Sequence, residues 1–240
     1  MFDNTVRWPR HPVGMWLAAI LLVEWVFLPN LNAEISENGP PVRALLTLDM
    51  KGAEDCPPSL IEEMKEEVAE VFRPVGLGLQ WRYLDLSRIR PSVDALVVVT
   101  FNGACTSDGF GQPVSDEGPM GWTAMTDGAI LPFCGVDYDR VREVMRRTIR
   151  WLPPGEQERL FGRAIGRVLA HELYHILANT RGHSRRGLAK PLLSDAELAQ
   201  EELRFGGDEI ERIHKSMLRS TFKQAPAREK PEQERTEARQ

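Results

Sequence analysis

Cysteine is scarce in this chain. Cys56, Cys105 and Cys134 are the whole complement of 240 residues, and no two fall at CxxC spacing. That excludes a disulfide-built scaffold and a cysteine zinc knuckle. An excess of positive charge is also missing: 30 Lys and Arg against 35 Asp and Glu leave a formal charge of −5, so nucleic acid is not an expected partner. No internal repeat is present, which argues against a solenoid or propeller. Histidine is rare as well, with five in the chain, yet His171, His175 and His183 lie close together around Glu172.

Long apolar runs are absent with one exception. Arg7 and Arg10 precede residues 13–28, an apolar stretch interrupted by Glu24 and followed by Pro29 and Ala33. Residues 1–33 therefore read as a secretory signal peptide or N-terminal anchor. The run is shorter than the ~20 residues a spanning helix needs. Export to a periplasmic or extracellular space is expected, with membrane contact only if the segment stays uncleaved. In that oxidising setting Cys105 and Cys134 are expected to pair, leaving Cys56 free. Residues 223–240 carry Glu, Arg, Lys, Gln and Pro without a large apolar side chain and are expected to be disordered. Residues 34–222 remain, enough for a single domain with a sizeable core.

Within that domain the hydrophobic period alternates between two and 3.6. Val42–Met50 reads as a strand, Pro58–Phe72 as an amphipathic helix, Leu77–Leu84 as a second strand and Ala95–Phe101 as a buried third. The order is β-α-β-β. A glycine-rich loop, Gly103 to Gly121, leads to Gly121-Trp-Thr-Ala and Ala129-Ile-Leu-Pro-Phe, expected as an edge strand and its partner. A helix follows from about Asp137 to Arg150, on which Arg140, Arg142, Arg146, Arg147 and Arg150 read as a solvated face. Ile165, Val168, Leu169, Leu173, Ile176 and Leu177 then recur at helical spacing, the stripe of a helix embedded in a core.

That last helix carries His171-Glu172-Leu173-Tyr174-His175. Positions i and i+4 share one helix face, so both imidazoles can reach one ion while Glu172 addresses a water beside it. Asn179 and Gly182 tolerate a left-handed backbone, so the chain can turn back and deliver His183. Three protein ligands with one position open describe catalytic rather than structural Zn2+. A rival third ligand is Glu197 or Glu201, on a short helix capped by Ser194. Tyr174 points off the metal face and reads as packing or as a support behind the ligands; His11 and His214 read as surface residues. Arg181, Arg185 and Arg186 flank His183 and would favour acidic groups on a substrate.

Taken together, these residues resemble the metzincin zinc metallopeptidases, whose pattern is HExxHxxGxxH followed by a turn carrying methionine. His171, Glu172 and His175 match; Ala178 stands at the glycine, Arg181 at the third histidine, and His183 comes two residues late. Ser184 and the Gly187-Leu188-Ala189 run resemble bacterial metzincin-like proteins with serine after the third histidine, Ala189 taking the methionine's place. Over residues 42–190 the resemblance implies an α/β (α+β) fold: a mixed twisted sheet with two main helices, the second carrying HExxH, and a smaller helical C-terminal part. It also implies Zn2+ on His171, His175 and His183, and hydrolysis of a peptide or protein substrate with Glu172 as general base. The alternative is a catalytically inactive domain that binds zinc or a peptide.

Overall fold

Leu46, Leu48 and Met50 alternate along the first strand with Thr47 and Asp49, and all five are buried, as befits a strand inside a sheet, while Leu45 at its start is exposed. A computed structural model describes residues 44–85, 95–106 and 118–224, with side chains to 218. The elements are β1 (Ala44–Lys51), α1 (Pro58–Phe72), a 3-10 turn (Arg73–Val75), β2 (Leu77–Tyr83), β3 (Leu96–Asn102), β4 (Gly121–Thr126), β5 (Ala129–Asp137), α2 (Tyr138–Ile149), α3 (Pro154–Leu177), α4 (Asp195–Ala199) and α5 (Gly207–Gln224). The strands form one five-stranded sheet in the order β2-β1-β3-β5-β4. β2, β1, β3 and β5 run parallel, and β4 is antiparallel to β5 at the edge. The expected mixed α/β fold, with HExxH on a long core helix, is what the chain adopts.

One sheet face presents Leu46, Leu48, Met50, Val97, Val99, Phe101, Cys134 and Val136 to the same core as the apolar sides of α1, α2 and α3. α2 starts on Asp137, whose carboxylate accepts from the Arg140 amide at 3.0 Å, satisfying one of the first-turn N–H groups. α3 starts at the Pro153-Pro154 pair, where a missing N–H does no harm. Its Gly162 and Gly166 face α1: a Cβ at either would lie 2.7 Å from the carbonyl oxygens of Leu60 and Met64 respectively. The two backbones meet at a distance that only hydrogen side chains allow.

Buried charge adds a second fastening. Glu67 of α1, itself buried, accepts from Arg167 of α3 at 2.8 Å and from Arg204 at 3.1 Å, with Arg163 at 3.8 Å. The Arg167 guanidinium is fully buried and also donates to the carbonyls of Glu197, Leu198, Gln200 and Glu201. It ties the chain after α4 to the middle of α3.

Two expectations need correction. The disulfide joins Cys56 and Cys105, not Cys105 and Cys134. Cys134 lies in β5 with its side chain in the core, where burial pushes its thiol pKa up; Cys56 and Cys105 follow the ends of neighbouring parallel strands, with Cα atoms 5.4 Å apart, inside the usual range for a bridge. Nor is α2's arginine set a uniformly solvated face. Arg142 is buried, pairs with Asp139 and donates to the carbonyls of Ala104 and Thr106, anchoring the chain just after β3. Residues 1–33, expected as a signal peptide or anchor, most of the glycine-rich loop and the tail beyond 224 lie outside the described residues. Among the described residues no helix is long and apolar enough to cross a membrane.

Candidate metal centre

Two imidazoles are oriented by the chain's own carbonyls. His171 Nδ1 lies 2.8 Å from the Leu188 carbonyl oxygen, and His175 Nδ1 lies 2.7 Å from that of Thr180. A carbonyl only accepts, so each Nδ1 carries the proton and each Nε2 is left with a lone pair. Those two Nε2 atoms face each other at 3.2 Å. Burial depresses the pKa of both histidines, that of His171 to about 4, so both rings are neutral at pH 7. Two lone pairs directed at one point repel unless a cation sits there.

The third imidazole arrives by the expected turn. α3 ends at Leu177, Asn179 takes a positive φ of 47°, and the Thr180 amide donates back to the His175 carbonyl at 3.1 Å. The chain then brings the exposed His183 ring to centroid distances of 5.3 Å from His171 and 4.8 Å from His175. One nitrogen from each of the three rings falls within 4.8 Å of the others. This group could hold a metal ion. The rival carboxylates take no part: Glu197 pairs with Lys190 and closes a capping box with Ser194, and Glu201 does not join the histidine group.

Leu188 and Ala189, at the position where the resemblance expects a methionine turn, are both buried. Both belong to the hydrophobic core, and the Leu188 carbonyl is the one that orients His171. Tyr174 is fully buried against Phe205, with its hydroxyl 2.5 Å from Arg212 Nη1.

Glu172 is buried, and desolvation raises its carboxyl pKa to about 7, with a hydrogen bond from Thr123 working in the opposite direction. The Thr123 hydroxyl donates to Glu172 Oε2 at 2.7 Å and lies 3.2 Å from the carbonyl oxygen of the same residue. Gly121, two residues earlier on β4, makes the approach feasible: a Cβ there would lie 2.9 Å from Glu172 Oε1. Sequence reasoning missed Thr123, because its contact spans 49 positions and a lone threonine in an edge strand has no distinguishing pattern. The glycine two residues before it was the available signal.

No family model matches the chain, and no curated protein is similar to it. Among solved structures it is similar to archaemetzincin from Methanopyrus kandleri, with 14% identity and a TM-score of 0.40, over 73% of this chain and 95% of that one. At that distance the functional reading has to come from the site.

Proposed function

We propose that this chain is a metzincin-like zinc peptidase, with His171, His175 and His183 as the metal ligands and Glu172 as the general base. One observation carries the reading: two protonated Nδ1 atoms held by carbonyls, with the paired Nε2 atoms 3.2 Å apart. Zn–N bonds of about 2.0–2.1 Å in a tetrahedron set ligand nitrogens about 3.3 Å apart. Bound there, zinc would polarise a substrate carbonyl and acidify a water.

The chain's own groups supply the rest. Glu172 takes a proton from the attacking water as its oxygen adds to the peptide carbonyl carbon, then passes that proton to the leaving amine nitrogen as the C–N bond breaks. A carboxyl held near neutrality suits both transfers. β4 forms one edge of the sheet and touches Glu172 through Thr123, so an extended peptide can add beside it as a further strand. Export belongs to the same proposal; the Cys56–Cys105 bridge supports it, since disulfides persist in oxidising compartments.

The deciding experiment is metal content of the purified full chain beside His183→Ala and Glu172→Ala, followed by a peptide-library digest. One zinc per chain, lost in His183→Ala, with cleavage abolished and zinc kept in Glu172→Ala, establishes the peptidase. Zinc without Glu172-dependent cleavage leaves a binding domain, and no zinc removes the reading. Mass measurement of the mature N-terminus tests export: an intact Met1 on protein recovered from the cytosol overturns it.

A further inference from the structure

The three histidines are not supported alike. His171 and His175 each hand a ring N–H to a carbonyl, whereas among the described residues the ring of exposed His183 approaches only the other two imidazoles. Its orientation therefore depends on the backbone that carries it. The next residue, Ser184, is held twice: its amide donates to the Ala189 carbonyl at 2.8 Å, and its hydroxyl donates to Glu209 Oε1. Glu209 is buried in the first turn of α5, and its other oxygen accepts from the Gly206 amide at 2.8 Å.

Capping α5 requires only the bond to Gly206. The second bond, to Ser184, adds nothing to the helix end and fixes the residue beside His183. We propose that Glu209 is the positioning residue of the third metal ligand, acting through Ser184. This rests on the metal reading above. Where metal-ligating histidines have partners on their far ring nitrogen, those partners set affinity by fixing the ring; here the same task falls to a carboxylate one residue along the chain. Desolvating that carboxylate is unfavourable unless its oxygens are hydrogen-bonded, and both are.

The test compares zinc affinity, by competition with a chromophoric chelator, and the visible spectrum of the cobalt(II)-substituted full chain. Wild type, Ser184→Ala, Ser184→Thr and Glu209→Ala are measured together. Ser184→Ala leaves the α5 cap in place but takes one partner from buried Glu209, so its metal-free unfolding midpoint should fall modestly while the chain stays folded at the temperature of the titrations. Its zinc affinity should fall about 10–100-fold, its cobalt spectrum should shift, and Ser184→Thr should restore both. Wild-type affinity and spectrum in Ser184→Ala would overturn the inference while leaving the metal site intact. A wild-type chain that takes no metal would end both. Glu209→Ala loses the cap as well, so a matching cobalt shift in Ser184→Ala separates positioning from loss of the cap.

Discussion

The Thr123 hydroxyl reaches across from the sheet edge to donate to Glu172 Oε2 at 2.7 Å, so the strand next to the site also holds its carboxylate. The bond lowers the Glu172 pKa against a desolvation that raises it. Removing it in Thr123→Val should raise the carboxyl pKa further, by about one unit for a hydrogen bond to a charged group. Thr123→Ser should keep the wild-type value. Carbon NMR titration of the Glu172 carboxyl in metal-free protein reads this directly, and an unchanged pKa in Thr123→Val would show that the bond does not control the base.

Adjacent His171 and Glu172 should pull stability in opposite directions with pH. In the folded metal-free chain His171 has its pKa near 4 instead of 6.5, so the unfolded chain binds more protons between those values and stability is lost as pH falls through that window. Glu172 has its pKa near 7 instead of 4.5, so the folded chain holds the extra proton and stability is lost as pH rises from 4.5 to 7. In wild type the two slopes oppose. Glu172→Gln should reveal stability rising with pH between 4.5 and 6.5, steepened by His175, and His171→Asn should flatten that rise or reverse it. Each site contributes up to about 1.4 kcal/mol per pH unit. Urea midpoints in chelator at stepped pH test this; parallel profiles in both variants would contradict it.

Glu67→Ala should be among the most damaging single changes in the fold. It leaves Arg163, Arg167 and Arg204 without their shared carboxylate, a loss of about 3–5 kcal/mol for a broken buried pair. Exposed Glu66→Ala, one position away, should stay within about 0.5 kcal/mol. Denaturant titration of the two variants provides the comparison, and equal small losses would mean the cluster is not stabilising.

Reduction should expose two thiols beyond Cys134. Closing a chain separation of 49 residues corresponds to about 4 kcal/mol in the chain-entropy account. Thiol counting in denaturant, with and without reductant, should give three and one. Cys134→Ala should show no thiol without reductant, and a count of two there would reinstate a pairing through Cys134.

Arg181, Arg185 and Arg186 are exposed on the loop that carries His183, and no acidic residue lies between Glu172 and Asp195. Peptides with Asp or Glu near the cleaved bond should bind the Glu172→Ala protein more tightly than basic counterparts, with the preference fading at high salt. Fluorescence anisotropy on a charge-varied peptide set measures it; equal binding across the set would rule the preference out.

The elements and the histidine group were legible because both rest on local spacing. Pro58–Phe72 was read with its ends in place, and Asn179 marked the turn that delivers His183. Contacts between distant segments were not legible. Nothing in a run of glutamates distinguishes Glu67, which meets three arginines, from Glu66, which is exposed. The cysteine pairing failed for the same reason: loop proximity favoured Cys105 with Cys134, while strand order put Cys56 beside Cys105. Arg142 read as solvated because charge alone does not reveal that a carbonyl-lined recess awaits it.

Gly162 and Gly166 are farther from the chemistry than any residue discussed as part of it, yet they act as its calibration. α3 is a continuous rod, and Gly166 lies little more than one turn before His171. Adding one methyl group there forces α1 and α3 apart at a backbone contact that has no side chain to yield, and the tilt is passed down the rod to the imidazoles. A bite of 3.2 Å between two nitrogens leaves little tolerance for such a tilt. The spacing of those two nitrogens is thus set partly by two positions that have no side chain and take no part in the histidine group.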